Sequence, residues 1–451
     1  MTTRAHTLAG TSTVAAAPGS ADADDRPPGA AAEWRAHWPL VVAAMGGLSF
    51  ASVAASSIGL FMEPLSREFG WSRAAIASGL TVFASIAVPL APVAGALIDR
   101  LGSRRMAIPG LIVSATLLAA FSLASGTVLN WLLLWALYAL AAVSIKAPVW
   151  TTAVTSMFSS GRGLALGATL CGTAVAQTLS PIVTQWLIST QGWRAAYVWL
   201  ALGWGTVALL LVLLFFFDVR DRQRLKPAAS ASGPAKAGAA APLPGLSLRE
   251  ARRSAPLLKI AAAALISNCV VGGILVHQVP LLREHGFTAA LAAAVAGSAG
   301  IASLCGKLFS GWLLDRVHGG RIASITLALP ALSFLMLLNN QDTPLIAMAA
   351  IMITGYVTGA QLQLTTYLTG RYGGLRNFGS LIGVLSGLIA LGIGIGPVLV
   401  GAVYDHLGSY APMLKCGIPA ALFCSLLLAR LGPYPDWTAA EARDGVRGRA
   451  G

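Results

Sequence analysis

Two lysines stand where a lysine is hardest to keep. Lys146 and Lys307 each lie well inside a long apolar run, and no Asp or Glu sits at a comparable depth in either run. At helical rise, Lys146 is about eleven residues, or roughly 16 Å, from the nearer end of its run, and Lys307 is roughly 12 Å from Asp315. An ammonium at the centre of a membrane helix costs about 2.5 kcal/mol or more, so it is expected to face a polar cavity and meet an anion. The missing negative partner is most simply a bound ligand. The alternatives are that each lysine snorkels outward or pairs with backbone carbonyls, or that burial strips its proton. His277, near one end of its run, changes charge near neutral pH and suits a gate, although a plain polar cap fits equally well. Asn268, Gln361, Gln363, Tyr356 and Tyr367 offer hydrogen bonds along a cavity, or else join helices to one another.

The surrounding elements follow from composition. Of 451 residues, 56% are apolar and 11% charged, against about 25% charged in soluble proteins. The deficit is concentrated in stretches of about 20 or more apolar residues, each long enough to cross a hydrocarbon core as a helix. They fall at 37–62, 74–99, 106–125, 128–157, 164–188 and 196–217, then at 257–282, 288–314, 322–339, 343–370, 378–403 and 411–431. The fold class expected is all-α, with twelve transmembrane helices in two six-helix bundles at 37–217 and 257–431. A disordered cytoplasmic tail over 1–36, a cytoplasmic linker over 218–256 and a cytoplasmic tail over 432–451 complete the division. The linker is Ala/Pro/Gly-rich in its middle, and its end at 246–254 is patterned either as a short amphipathic surface helix or as a solvated tether.

The net charge of +14 does not signal nucleic acid, because the basic residues collect in alternate loops. Arg100, Arg104, Arg105, Arg162, the linker cluster, Arg316, Arg321, Arg371 and Arg376 mark one side. Under the positive-inside rule that side is cytoplasmic and holds both termini of a multi-pass inner-membrane protein. The cysteines Cys171, Cys269, Cys305, Cys416 and Cys424 all lie in apolar segments without metal-ligand spacing, so free thiols are expected, with no metal or cofactor.

The halves repeat. One shift carries Asp99 onto Asp315 (315 − 99 = 216), and with it Pro64 onto Pro280, Glu68 onto Glu284, Gly70 onto Gly286, Gly167 onto Gly383, Pro181 onto Pro397 and Gly192 onto Gly408. An even number of spans per repeat gives both halves the same orientation, with a ligand site between them near the midplane.

The connector from Gly95 to Arg105, with Asp99, Arg100, Gly102 and Arg104, resembles the signature loop between the second and third helices of the major facilitator superfamily. Asp315, Arg316 and Arg321 repeat it less completely. In that family the acid–base cluster latches one conformational state, so the resemblance implies a latch of Asp99, Arg100, Arg104, Asp315 and Arg316. The run from Glu63 to Arg73, the start of the fifth helix at Arg162–Gly167, His277–Pro280 and the segment from Gly396 to Tyr410 are similar to the monocarboxylate porter and oxalate/formate exchanger branch. Three departures stand out. Ser56 replaces a first-helix lysine of the eukaryotic porters and Ser303 an eighth-helix Asp. Lys307 stands at the eighth-helix arginine, keeping the charge without the bidentate fork.

The resemblance and the two lysines together imply a monomeric carrier of small organic anions, monocarboxylates foremost, working by alternating access with a proton or by exchange. Lys307, Lys146, His277, Gln361, Tyr356 and Asn268 are its candidate substrate-binding residues. Efflux of drugs or apolar metabolites is the competing reading, weakened by the lack of a deep acid for cationic drugs. An enzyme would need a catalytic cluster, and the sequence offers none.

Overall fold

A computed structural model describes residues 30–158, 161–217, 245–314, 316–339, 343–374 and 376–435. Eleven helical runs among these are long and apolar enough to cross a bilayer, and one of them, Arg162–Phe215, has 54 residues. That is about 81 Å of helix, far more than a hydrocarbon core of about 30 Å. Its chain turns at Gly192 (φ 81°, ψ 166°), so it is two spans, and the described residues make twelve.

In order, the first to fourth spans are Ala30–Phe69, Arg73–Leu101, Ser103–Ala120, and the pair Val128–Ala142 and Ala147–Met157. The fifth and sixth share Arg162–Trp199 across the Gly192 turn, and the sixth ends as Gly205–Phe215. The seventh to twelfth are Ala255–Glu284, Ala289–Leu314, Gly319–Asn339, Pro344–Gly373, Phe378–Leu407 and Ala411–Ala429. We call the side where the first span begins and the twelfth ends the chain-end face, and the other the far face.

The repeat is written into the backbone. Gly70 and Gly286 take φ of 67° and 82°, and Gly192 and Gly408 take 81° and 68°, a region glycine enters without a Cβ penalty. Equivalent braces accompany the turns. Glu68 accepts from the Trp193 indole and pairs with Arg194, each at 2.6 Å. Its repeat mate Glu284 accepts from the Ser409 hydroxyl at 2.6 Å and the Tyr410 amide at 3.2 Å. In each half, the end of the first helix thus holds the start of the sixth.

Apolar clusters and close small-residue contacts occur in both halves, and in the first an added Cβ at Gly172 would come 2.3 Å from Met45 O. One apolar cluster runs from Leu40 to Phe216 and draws its buried residues from the first half, with Phe121, Trp131, Trp135 and Tyr138 meeting edge to face. In the second half the eighth and tenth spans approach through small residues. A Cβ added at Gly359 would come 2.0 Å from the Ser303 carbonyl oxygen, and one at Gly306 2.2 Å from that of Tyr356. Without a hydrophobic drive inside lipid, such close backbone contact is what joins helices.

Three expectations need correction. The first helix starts at Ala30 and not at 37, because its polar first turns pack against the fourth and fifth spans: Glu33 accepts the Gly161 amide at 2.9 Å. The fourth span, expected as one helix over 128–157, is not continuous. It breaks at Lys146 (φ −74°, ψ 167°), where Pro148 opens a new helix for want of an amide hydrogen to continue the old one. The end of the linker is not a solvated tether but carries a short helix, Leu248–Ala251, held to the second half. Leu246 donates to Gly373 O at 2.9 Å and accepts from Asn377 at 2.9 Å. The short helix Leu248–Ala251 that follows opens with a capping box, Ser247 and Glu250 each taking the other's amide. The Ser247 hydrogen bonds hold the Glu250 carboxyl below its usual range. The rest of the expected linker, 218–244, and the tails at 1–29 and 436–451 lie outside the described residues.

The seam between the second and eleventh spans sets the shape of the interior. From the far face inward, Ala74 meets Gly401, Thr81 donates to Gly394 O at 2.6 Å, and Val88 lies against Gly387. Further on, a Cβ at Gly95 or Gly383 would meet nothing. The seam is closed at the far face and open towards the chain ends.

Candidate functional site between the halves

Lys307 lies on the eighth span and reaches across to the other half. Its Nζ donates to Leu170 O at 3.2 Å and to Thr173 Oγ1 at 2.5 Å, both on the fifth span. Gly297 and Gly300 bring the two helices close enough for this, since an added Cβ at either would strike Thr178. The ammonium is half-buried and both its partners are neutral. The ion pairs Arg67–Glu63, Arg194–Glu68 and Arg283–Glu63 lie at the far face, away from it. A cation held this way keeps its charge uncompensated, and a carboxylate would be a better acceptor than either neutral oxygen.

Lys146 occupies the break in the fourth span. Its Nζ stands 4.3 Å above the Phe83 ring of the second span, an attraction of about 0.5–2 kcal/mol. The break leaves carbonyls without helical partners, and the Trp150 indole takes one of them, Ile145 O, at 2.7 Å. The extended residue explains why the lysine sits on a helix end and not on a helix face.

The other expected ligands do not gather about the lysines in this conformer. His277 is 0% exposed, with Nδ1 3.0 Å from the Tyr410 hydroxyl and Nε2 2.9 Å from Pro397 O. Since a carbonyl only accepts, Nε2 carries the hydrogen and Nδ1 accepts from Tyr410. Asn268 folds its amide back onto Ala264 O at 2.7 Å. Gln361, 5% exposed, points inside the second half among Ile260, Ala264, Leu327 and Leu364, where its Nε2 finds no partner. Tyr356 packs with Phe309 and the second-half core. Gln363 accepts from Ser310 at 2.8 Å, and Tyr367 lies against Gly319 at the start of the ninth span. All of them point within one half, where Gln361 Nε2 alone of the groups just described is left without a partner.

Of the expected latch, Asp315 and the Asp99 side chain lie outside the described residues. Arg104 reaches the end of the sixth span, donating to Leu213 O and Phe216 O at 2.9 Å each and lying over Phe217. There it meets the negative end of the helix dipole. Arg316 turns back onto Trp312 of its own helix, and Arg100 is exposed. Neither of these two arginines reaches the other half through the contacts just described.

Sequence reasoning passed over Thr173, Leu170 and Phe83, which no motif marks. It also passed over a network at the far face. Asp405 accepts the amides of Arg73 and Ala74 at 2.9 Å each, and the Arg73 guanidinium lies 3.6 Å over the Tyr404 ring and donates to the Tyr410 hydroxyl. Burial pushes that hydroxyl's pKa up. A signal was available, because the repeat shift places Ala289 and Ser189 where Arg73 and Asp405 have their counterparts.

Residues 43–338 match the Major Facilitator Superfamily. Monocarboxylate transporter 11 of Mus musculus is 28% identical over 400 residues, 84% of each chain. The gallate transporter of Pseudomonas putida is 24% identical over 401 residues, 80% of this chain and 87% of that one. Monocarboxylate transporter 13 of Bos taurus is 27% identical, but the match spans only 56% of either protein. The solved structure of a bacterial homologue of the human lysosomal transporter Spinster, inward-facing and unoccupied, superposes with a TM-score of 0.61 at 17% identity. It covers 87% of this chain and 95% of its own, a likeness of fold alone. With twelve spans in two repeated halves and a family match over most of its length, the chain belongs to the major facilitator superfamily of membrane transporters.

Proposed function

We propose that the protein carries small organic anions, monocarboxylates foremost, across the inner membrane by alternating access, with a proton or in exchange. The observation behind this reading is the Lys307 ammonium, which ties the eighth span to the fifth through neutral acceptors only. A carboxylate entering between the halves would replace those acceptors and draw the seam together, so binding and closure would be one event. Lys146, on Phe83 of the second span, is the second cation available to such a guest. Relatives named for gallate and for monocarboxylates agree with a carboxylate substrate. The basic loops put the chain-end face in the cytoplasm, which makes the closed second–eleventh seam an outer seal and this conformer inward-facing.

Flux into proteoliposomes, measured for a panel of carboxylates at two pH values, tests the proposal. Saturable carboxylate uptake is expected, and its pH dependence separates proton symport from exchange. Flux of cationic dyes with no carboxylate transport would replace the anion reading with efflux.

A further inference from the structure

The far-face network has no role in the reading so far, and it breaks the molecule's internal symmetry. The second helix begins with three amides that lack helical partners. Ser72 takes that of Ala75 at 3.1 Å, while the amides of Arg73 and Ala74 are taken by Asp405 of the other half. Asp405 is therefore the cap of a helix in the opposite bundle, and its negative charge sits at the positive end of that helix dipole. From the same residue the Arg73 guanidinium enters the other half. It stacks on Tyr404 and donates to Tyr410, whose hydroxyl in turn donates to His277, which donates to Pro397 O. At the symmetry-related seam, between the fifth and eighth spans, the corresponding residues are Ser189 and Ala289. Ser189 spends its hydroxyl on Trp186 of its own helix.

We infer that Arg73 and Asp405 are gating residues of the far face, and that opening to that side requires their separation at the second–eleventh seam together with release of the Glu63–Arg283 pair between the first and seventh spans. Separation strips two amides of the second helix and the guanidinium of their partners at once, so the gate acts as one cooperative unit. Asp405, the second helix's first turn and Glu284 stay near water, which can re-solvate them when the halves part. His277 and Tyr410, buried in the second half, hold the ring platform that receives Arg73. The inference rests on alternating access and not on the identity of the substrate.

Leu60, on the first span near the far face, is 5% exposed and packs against the second half, and it provides the readout. With the native cysteines replaced, Leu60→Cys reacts with a neutral, membrane-impermeant maleimide only when the far face opens, so its labelling rate follows the open fraction. Loss of a helix-capping carboxylate is worth about a tenfold change in that fraction. Asp405→Asn is expected to raise the rate about tenfold and Arg73→Gln to raise it in the same sense, while Ser189→Ala leaves it within twofold. A rate unchanged in both Asp405→Asn and Arg73→Gln would overturn the assignment, as would an equal rise in Ser189→Ala. Because labelling needs no substrate, failure here is separate from failure of the anion proposal. Should Asp405→Asn not purify as a single species, Arg73→Gln alone decides.

Discussion

Replacing Lys307 by Gln separates a structural cation from a substrate-binding one. In the protein the ammonium donates to Leu170 O and Thr173 Oγ1, and the Gln amide can still donate to one of them. The variant loses charge assistance, worth about 1 kcal/mol per bond, but no longer has to desolvate a charge at the seam, a gain of similar size. The stability of the fold is therefore expected to move by less than about 1 kcal/mol, or a few degrees in Tm at most.

Substrate recognition behaves differently. A carboxylate about 4 Å from the ammonium, at an effective dielectric near 20, gains about 4 kcal/mol. Taking roughly half of that as lost to desolvation leaves about 2 kcal/mol, or about a 30-fold rise in KM. Initial rates of carboxylate uptake into proteoliposomes, set beside Tm in detergent, measure both quantities. The expected result is a large loss of uptake at nearly constant Tm, with Lys307→Arg recovering most of the activity because the charge returns. Uptake by the Gln variant within threefold of the parent, at equal KM, would refute the argument. So would a Tm drop of ten degrees or more, which would make the lysine a structural strut.

Other outcomes follow from the packing. Gly359→Ala puts a methyl group 2.0 Å from a backbone oxygen and should cost about 1–3 kcal/mol, seen as a lower Tm, whereas Gly167→Ala, which meets nothing within 4 Å, should leave Tm unchanged or raised. Trp150→Phe removes the donor that satisfies Ile145 O at the break and should cost about 1–3 kcal/mol. Its Tm, compared with that of Trp199→Phe at an exposed lipid-side position, isolates the lost bond from the lost ring. Lys146→Gln combined with Lys307→Gln should raise KM by less than the product of the single effects if both ammonium groups hold one carboxylate. A full product would mean two independent anions.

Much of this molecule was legible in the linear chain. Apolar runs of bilayer length must become helices, since only a helix satisfies its own backbone in lipid. The repeat was readable because Gly70, Gly192, Gly286 and Gly408 are glycines forced by positive φ at turns, so the backbone preserved what side chains let drift. The charge at Lys307 was equally plain, because its run holds no other Lys and no Arg, His, Asp or Glu before Asp315.

What the chain concealed was azimuth and partnership. A span apolar all round, such as Pro344–Gly373, gives no preferred face, so its sequence could not say that Gln361 points into its own bundle or that Gln363 turns to Ser310. Only packing decided that His277 is sealed between Tyr410 and Pro397, that Pro148 places Lys146 on a helix end, and that Asp405 caps a helix more than 300 residues away in the chain. The physical reason is common to these cases. Hydrophobicity determines that a segment crosses the membrane, a local property, whereas a buried hydrogen bond is chosen by whichever neighbouring helix can reach it, a property of the assembled bundle.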